Sequence, residues 1–345
     1  MIGLEDVAKL AQVSAATASR ALTKPELVAE ATRERVQHAA RTLGYQPNVL
    51  ARSLRQRGSR TLGLVVTDIL NPFHATLAKG VQDVAEAQGY TVLMFNSDEE
   101  SARERRAFET LRGHLPRGLI VVPTPATHTN LDLLPGLPVI ELDRASGRAN
   151  AHTVLVDNEA GAERAVSHLA AHGHRRIGMI VGRRDISTAI ERHEGYRRAL
   201  ADAGIPYRPE LVLPGDHREA GGRAAAHALL ALPAGERPTA LFVGNNEMTV
   251  GAVLATRELG LRLPGDLSVV AFDDSRWAQT ILPALTVVAQ PEYELGALAC
   301  RTLLARLAGE EVPTAVRLKT TFIERDSVAP PAGQPRPQPH PAGSP

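Results

Sequence analysis

From Thr61 onward the chain repeats one pattern, and that pattern limits the fold more than any single residue does. Apolar runs of strand length recur: TLGLVVTDI, YTVLMFNSD, RGLIVVP, LPVIELD, HTVLVDN, RIGMIVG, TALFVGN and LSVVAFDD. Helical stretches such as FHATLAKGVQDVAEAQG separate most of them. Val-, Leu- and Ile-rich strands alternating with helices form βαβ units and parallel sheets covered on both faces. The runs fall into two groups, one ending at HTVLVDN and one starting at RIGMIVG, so two similar lobes with a cleft between them are expected. Ligands of such sheets bind outside the carboxyl ends of the strands. The sequence puts Asp68, Asn71, Asp143, Asn245, Asp273 and Asp274 there.

The first sixty residues follow a different rule. They carry ten Lys/Arg against five Asp/Glu, or +5, whereas the remainder carries 29 against 33, or −4. A basic head on a mildly acidic body is a local anion-binding signal, with nucleic acid the first candidate. LEDVAKLA, from Leu4 to Ala11, has helical spacing, and Gln12 and Val13 then make a tight turn. Ser14 is a good N-cap for a second helix reaching about Leu22, and a third runs from about Ala31 to Leu43, ended by Gly44. Two helices joined by so short a turn have helix-turn-helix geometry. The second helix opens with VSAATASR, in which nearly every side chain is small. Small side chains let a helix approach the major groove closely. Ala15 and Ala16 are placed to touch thymine methyls, and Thr17, Ser19 and Arg20 to bond phosphates and bases. An ordinary capped amphipathic helix is the competing reading of that stretch.

The next segment, YQPNVLARSLRQRGSR, sets Val49, Leu50, Ala51 and Leu54 on one apolar face among Arg52, Arg55 and Arg57. Two turns of helix are marginal alone in water. Beside a DNA reader, such a segment reads as a minor-groove wedge that orders on binding. A plain linker helix is the alternative.

Other classes are poorly supported. No run approaches the roughly 18 apolar residues of a membrane span, and the N-terminus lacks a signal-peptide pattern. A single cysteine, Cys300, excludes an internal disulfide framework and fits a reducing compartment, so a cytoplasmic location is expected. G-x-S-x-G, H-E-x-x-H, P-loop and G-x-G-x-x-G signatures are all missing, so no enzyme and no cofactor are expected. The end of the chain, SVAPPAGQPRPQPHPAGSP, is Pro-rich and expected to be disordered.

The chain resembles the lactose-repressor family of bacterial transcription regulators over residues 2–328. The resemblance rests on DVAKLAQVSAATASRAL, TRERVQHAARTLGYQPNVLARSL, TLGLVVTDILNPFHATLAKGV, HLAAHGHRRIGMIVG, ERHEGYRRAL, VGAVLATRELGLRLPGDLSVVAFDD and PALTVVAQP. It implies an all-α helix-turn-helix DNA-binding head plus an α/β core of two parallel-sheet lobes, shaped like periplasmic sugar-binding proteins. The implied layout is a helix-turn-helix domain over 1–45, a hinge helix and linker over 46–59, a two-lobed effector-binding and dimerisation core over 60–328, and a disordered tail over 329–345. The implied function is a ligand-responsive repressor that binds a near-palindromic operator as a homodimer. Its effector would be a sugar, a sugar derivative or a nucleoside. A soluble sugar-binding protein without a DNA role is the alternative, and it gives residues 1–60 no purpose.

Carried over by the resemblance, the base-reading positions are Ala15, Ala16 and Arg20, and the phosphate contacts are Ser14, Thr17, Ser19, Thr32 and Asn48. Ala51 is the close-packed hinge residue and Leu54 the wedge. The effector positions are Phe73, His74, Asp143, Arg192, His217, Asn245 and Asp273. Arg192 and Asp273 suit a polyol, although an interlobe salt bridge is a second reading of that pair.

The chain also departs from the family pattern. Gly3 and Ala29 stand where the family has hydroxyl caps, His74 and His217 where aromatics are common, and Asn246 where Asp is usual. The Pro-rich tail lacks the heptads of tetrameric members, which argues for a dimer. His168, His172 and His174 lie within seven residues, but no Cys or carboxylate close in sequence completes a metal set. They match the family's helix-to-strand turn, so no metal site is expected.

Overall fold

The computed structural model describes residues 2–23, 25–45 and 60–331. The chain divides after Arg60 into two compact units.

In the first unit, helix α1 spans Leu4–Leu10, α2 Ala15–Thr23 and α3 Glu30–Thr42. Their shared core is Val7, Ala8, Ala11, Ala18, Ala21, Val36, Ala39 and Ala40. Six of these eight are alanine, so the helices meet at short range with little bulk between them. The α1–α2 turn closes through the Val13 N–H to Ala8 O at 3.0 Å and the Gln12 N–H to Lys9 O at 3.2 Å. This crossed pair of bonds requires a left-handed residue, and Gln12 adopts φ 55° to supply it. Ser14 then caps α2, its Oγ accepting from the Thr17 N–H at 3.1 Å.

The second unit holds two six-stranded sheets. Lobe 1 contains β1 (Thr61–Val66), β2 (Thr91–Asn96), β3 (Gly118–Val121), β4 (Val139–Leu142), β5 (His152–Val156) and β11 (Ala315–Leu318). Their order is β11-β5-β4-β3-β1-β2, with every pairing parallel. Lobe 2 contains β6 (Ile177–Val181), β7 (Val212–Pro214), β8 (Ala240–Val243), β9 (Ser268–Phe272), β10 (Thr286–Ala289) and β12 (Thr321–Ile323). Their order is β12-β10-β9-β8-β6-β7, and β12 runs antiparallel to β10. The principal covering helices are α4 (Pro72–Ala87), α5 (Ser101–Gly113) and α12 (Glu292–Ala308) in lobe 1. In lobe 2 they are α7 (Asn158–Ala171), α8 (Ser187–Asp202), α9 (Glu219–Leu230) and α10 (Asn246–Glu258). Two short helices, α6 (Thr127–Asn130) and α11 (Arg276–Thr280), complete the set.

The eight expected strands are present, but the lobes are not two consecutive blocks. The chain leaves lobe 1 at Asp157, returns through Gln290 and Pro291 into α12 and β11, and crosses again at Lys319 and Thr320 into β12. Lobe 1 is therefore completed by a helix and a strand encoded after all but the last strand of lobe 2. Close packing secures this return. A Cβ added to Gly80 of α4 would stand 2.1 Å from the Tyr293 carbonyl oxygen, and one on Gly296 of α12 would stand 2.0 Å from that of Leu77. Only glycine lets the two backbones approach this closely.

The expected tail disorder is corrected at its start. The Ser327 hydroxyl donates to Val269 O at 2.6 Å, and the Ala329 N–H donates to the Ser268 hydroxyl at 3.0 Å. The chain is thus tied to lobe 2 through Ala329. The proposed hinge residues Asn48, Ala51 and Leu54 lie outside the described residues.

The third helix starts at Ala29, which offers no side-chain cap. Ala29→Ser supplies an acceptor for the first-turn N–H groups and is expected to stabilise the head by about 1 kcal/mol. Native-state hydrogen exchange of the α2 and α3 amides measures this, and unchanged protection would show that the missing cap costs nothing.

Candidate functional site

On the head, the sequence-predicted reading face is exposed. Ser14, Ala15, Ala16 and Arg20 are open to solvent, Thr17, Ser19 and Thr32 are half-buried, and Ala18 and Ala21 point into the core. The Ser14 and Thr17 hydroxyls lie 2.9 Å apart, so part of their capacity serves the helix start. The face that remains combines two methyl groups, hydroxyls and one guanidinium.

In the second unit the strand ends meet between the lobes. Asp143 follows β4, His217 follows β7 and Asp273 follows β9. All three take left-handed backbone angles, φ 67°, 64° and 78°. Such angles are uncommon for residues with a Cβ and cluster at sites where the surroundings enforce them. Phe73 and His74 come from the first turn of α4, Arg192 from the middle of α8, and Asn245 precedes α10. All seven predicted effector residues are buried.

Electrostatics tie most of them into one group. Burial pushes the Asp143 carboxyl up to about 6, against the pull of the Arg144 and Arg192 guanidiniums. Burial, reinforced by Arg144, lowers His74 to about 4 and His217 to about 3. Both imidazoles are neutral at pH 7. Glu99, which follows β2, is disfavoured by burial, but Arg144 outweighs that and holds it at about 2. The two form a bidentate pair with both contacts at 2.8 Å. Glu292, at the start of α12, is raised to about 7 by burial and by Asp273.

Arg192 is held on three sides. Its guanidinium lies 3.6 Å from the Phe272 ring centroid, Nε donates to Asn158 Oδ1 at 2.8 Å, and another nitrogen donates to Gly244 O. Arg192 and Asp273 both belong to lobe 2, and they form no ion pair. The interlobe salt-bridge reading of that pair is therefore corrected. Asp273 instead accepts from Gln290 Nε2 at 2.6 Å and from the Asn246 N–H at 3.1 Å. Asn245 makes two local bonds. Its Oδ1 takes the Met248 N–H as the α10 cap, and its Nδ2 donates to His217 O. Phe73 lies within the apolar core of lobe 1, with its ring set edge-on to His74. Of the strand-end acids, Asp274 turns away into a bidentate pair with Arg325, both contacts at 2.7 Å.

Four buried polar atoms here have no hydrogen-bond partner: Asp143 Oδ1, His74 Nδ1, Gln290 Oε1 and Arg144 Nε. The last does lie 3.5 Å from Asp143 Oδ2, outside good hydrogen-bond geometry. Buried polar groups are rarely left unpaired, and four such atoms gather here near the strand ends between the lobes. Sequence reasoning missed Glu99, Arg144, Asn158, Gln290 and Glu292. Arg144 and Gln290 were visible inside LPVIELDR and PALTVVAQP, but nothing local distinguishes them from ordinary loop residues.

The lobes also grip each other across the cleft mouth. Asn71 and Asn246 exchange two amide hydrogen bonds, at 3.1 and 2.8 Å. Arg218 donates to Asp98, Arg183 to the Glu99 carbonyl, and the Ala145 N–H to the Ser187 hydroxyl.

Residues 3–48 match the family described as bacterial regulatory proteins, lacI family, and residues 166–328 match a periplasmic binding protein-like domain. The chain is 34% identical over 332 residues to the HTH-type transcriptional repressor PurR of Aliivibrio fischeri, covering 95% of this chain and 98% of that protein. It is also 34% identical over 318 residues to catabolite control protein A of Priestia megaterium, covering 91% and 95%. Among solved structures, the lac repressor dimer bound to operator and the anti-inducer ONPF aligns with a TM-score of 0.83 at 27% identity, covering 95% of this chain and 99% of that one. The complex of the transcriptional regulator CelR with cellobiose aligns at 0.70 and 31%, covering 95% and 100%.

Two outcomes follow from this geometry. Asn246→Asp keeps one acceptor but cannot donate to Asn71, and it brings a second charge beside Asp273. Losing about 1 kcal/mol of amide bonding shifts the lobes toward open states by roughly fivefold. Small-angle scattering of the ligand-free protein should show a larger radius of gyration, and an unchanged radius would show that the clasp does not hold the lobes. The second outcome concerns pH. His74 and His217 bind protons more weakly folded than free, so the stability they permit at pH 7 is lost as pH falls below about 6.5. Each costs about 2 kcal/mol between pH 7 and 5. Asp143, raised toward 6, and Glu292, raised to about 7, work the other way and gain stability as they take up protons in the fold. Relative to the unmodified protein, the melting temperatures of His74→Gln and His217→Gln should therefore rise as pH falls from 7 to 5. Equal slopes in all three proteins would disprove the assignment.

Proposed function

The chain belongs to the lacI family of bacterial regulatory proteins, and we propose that its cleft takes a neutral, hydroxyl-rich effector, a sugar or nucleoside, that controls the grip of the head on operator DNA. It is a DNA-binding transcriptional repressor with a ligand-binding core, and it acts as a dimer on operator DNA. The effector reading rests on one observation: the acceptors Asp143 Oδ1 and Gln290 Oε1 are buried without partners. Ligand hydroxyls donate to such acceptors. Charge supports a neutral ligand, since two guanidiniums, Arg144 and Arg192, already face three carboxylates, Glu99, Asp143 and Asp273. An anionic phosphosugar finds no spare cation among them. CelR, a structural relative, is known bound to cellobiose, which fits the same class.

On the DNA side, Ala15, Ala16 and Arg20 read base edges while Ser14, Thr17, Ser19 and Thr32 hold the backbone. Asn48, Ala51 and Leu54 extend the contact through the hinge. Methyl-bearing positions discriminate without hydrogen bonds, so they set preference more than affinity. No helix among the described residues is long and apolar enough to cross a membrane. We place the protein in the cytoplasm with its operator and assign it no catalytic step.

Coupling follows from the wiring of the cleft. Asp273 holds Gln290 in the second crossing, and Arg192 holds Asn158 beside the first. An effector that binds between them has different contacts in open and closed lobes, which is the differential affinity that allostery requires.

A thermal-shift screen tests the effector class. Sugars or nucleosides should raise the melting temperature, phosphorylated analogues should not, and Asp143→Asn should weaken the hit by about tenfold to a hundredfold while operator binding without effector persists. A response to phosphosugars alone would overturn the neutral-ligand reading. Arg192→Ala is a poorer probe, because it strips partners from Gly244 O and Asn158 and is expected to destabilise the empty core by about 1–3 kcal/mol.

A further inference from the structure

On the outer side of lobe 2, away from the cleft residues, α7 carries His168 and His172 one turn apart. The fold brings Glu324, just past β12, beside them. One ligand atom from each of the three lies within 4.8 Å of the other two. From these positions we propose that His168, His172 and Glu324 hold a divalent transition ion, with zinc the best match to two imidazoles and one carboxylate.

Several independent features support the site. His168 Nε2 is buried and has no hydrogen-bond partner. His172 Nδ1 lies 2.9 Å from the His168 carbonyl oxygen. A carbonyl only accepts, so that nitrogen carries the proton and Nε2 keeps its lone pair free. This is the backbone bond that commonly fixes the tautomer and orientation of a metal-binding histidine. The rings are 4.4 Å apart, and His168 also packs against Phe322 of β12 at 4.9 Å, which limits its rotation. The site lies at the carboxyl end of a fourteen-residue helix, where the partial negative charge of the last carbonyls favours a cation. His174 takes no part, since its two nitrogens engage Thr239 and Ala329.

Two histidines and one glutamate form a known zinc set that leaves the fourth tetrahedral position to water. Bonds of about 2.1 Å place tetrahedral ligand atoms about 3.4 Å apart. The trio therefore has to contract by roughly 1 Å, and the exposed Glu324 side chain has the freedom to supply the movement. The ion would pin the end of α7 to the segment after β12.

The test uses the full-length protein after chelation and dialysis. Calorimetry with zinc chloride should give one ion per chain, with a melting temperature several degrees higher at saturation. Cobalt(II) should give the intense visible absorption of a four-coordinate ion. His172→Gln and Glu324→Gln, both at exposed or half-exposed positions, should each weaken zinc binding by at least about tenfold while leaving the metal-free melting temperature and operator binding unchanged. No zinc uptake by the unmodified protein, or uptake equal in the double variant, would overturn the proposal.

Discussion

The three chain crossings at Asp157, Gln290–Pro291 and Lys319–Thr320 constrain everything else in the core, because any change in the angle between lobes must pass through them. They are tightly bonded. Asp157 Oδ1 accepts from both the Thr320 N–H and its hydroxyl, at 2.6 and 2.7 Å, which locks the first crossing to the third. Glu191 extends the lock, bonding Asn158 at 2.9 Å and forming an ion pair with Arg317. Arg192 is the next residue on α8 and faces the cleft. Arg192 donates to Asn158 beside the first crossing and Asp273 accepts from Gln290 in the second, so a ligand that repositioned either side chain would act directly on a crossing. No long chain of intermediates is needed to carry the signal.

The cleft interior trades stability for readiness. Two neutral histidines, a carboxylate raised toward neutrality and several unpaired polar atoms would be poor choices for a structural core. Strained backbone at Asp143, His217 and Asp273 adds to the cost. Rigid lobes built from continuous Val/Ile/Leu strands carry that cost on both sides. The Asn71–Asn246 clasp adds only a neutral, modest grip at the cleft mouth. A charged residue at position 246 would repel Asp273, so asparagine at this departure from the family pattern fits a cleft that closes readily.

Much of this was legible in the sequence, for identifiable reasons. The periodicity of the strands is local information, and so are the Ser14 cap and the small-residue helix. The cleft residues at strand ends followed from topology rules and from motif resemblance. The return of α12 and β11 to lobe 1 was not legible, because those elements look like any βα unit and only long-range packing, such as the Gly80–Gly296 approach, assigns them. The same holds for Glu324 beside His168 and His172. A carboxylate some 150 residues away in sequence cannot be matched to a histidine pair by spacing. Asn245 has a role that its type and position did not reveal: its amide caps α10 and holds the His217 carbonyl.

The interleaved topology also orders events at the ribosome. The head is complete once its first few dozen residues emerge, and nearly all of lobe 2 is available by Ala289. Lobe 1 is different. Its first five strands are made by Val156, but α12 and the edge strand β11 arrive only after Glu292. At typical synthesis rates that interval lasts about 10–30 s. During it the apolar face later covered by α12, including Leu77 and Val81, has no native partner. The half of the core made first is therefore the half finished last, and a nascent chain stalled near lobe 2 would present that uncovered face to chaperones and to neighbouring chains.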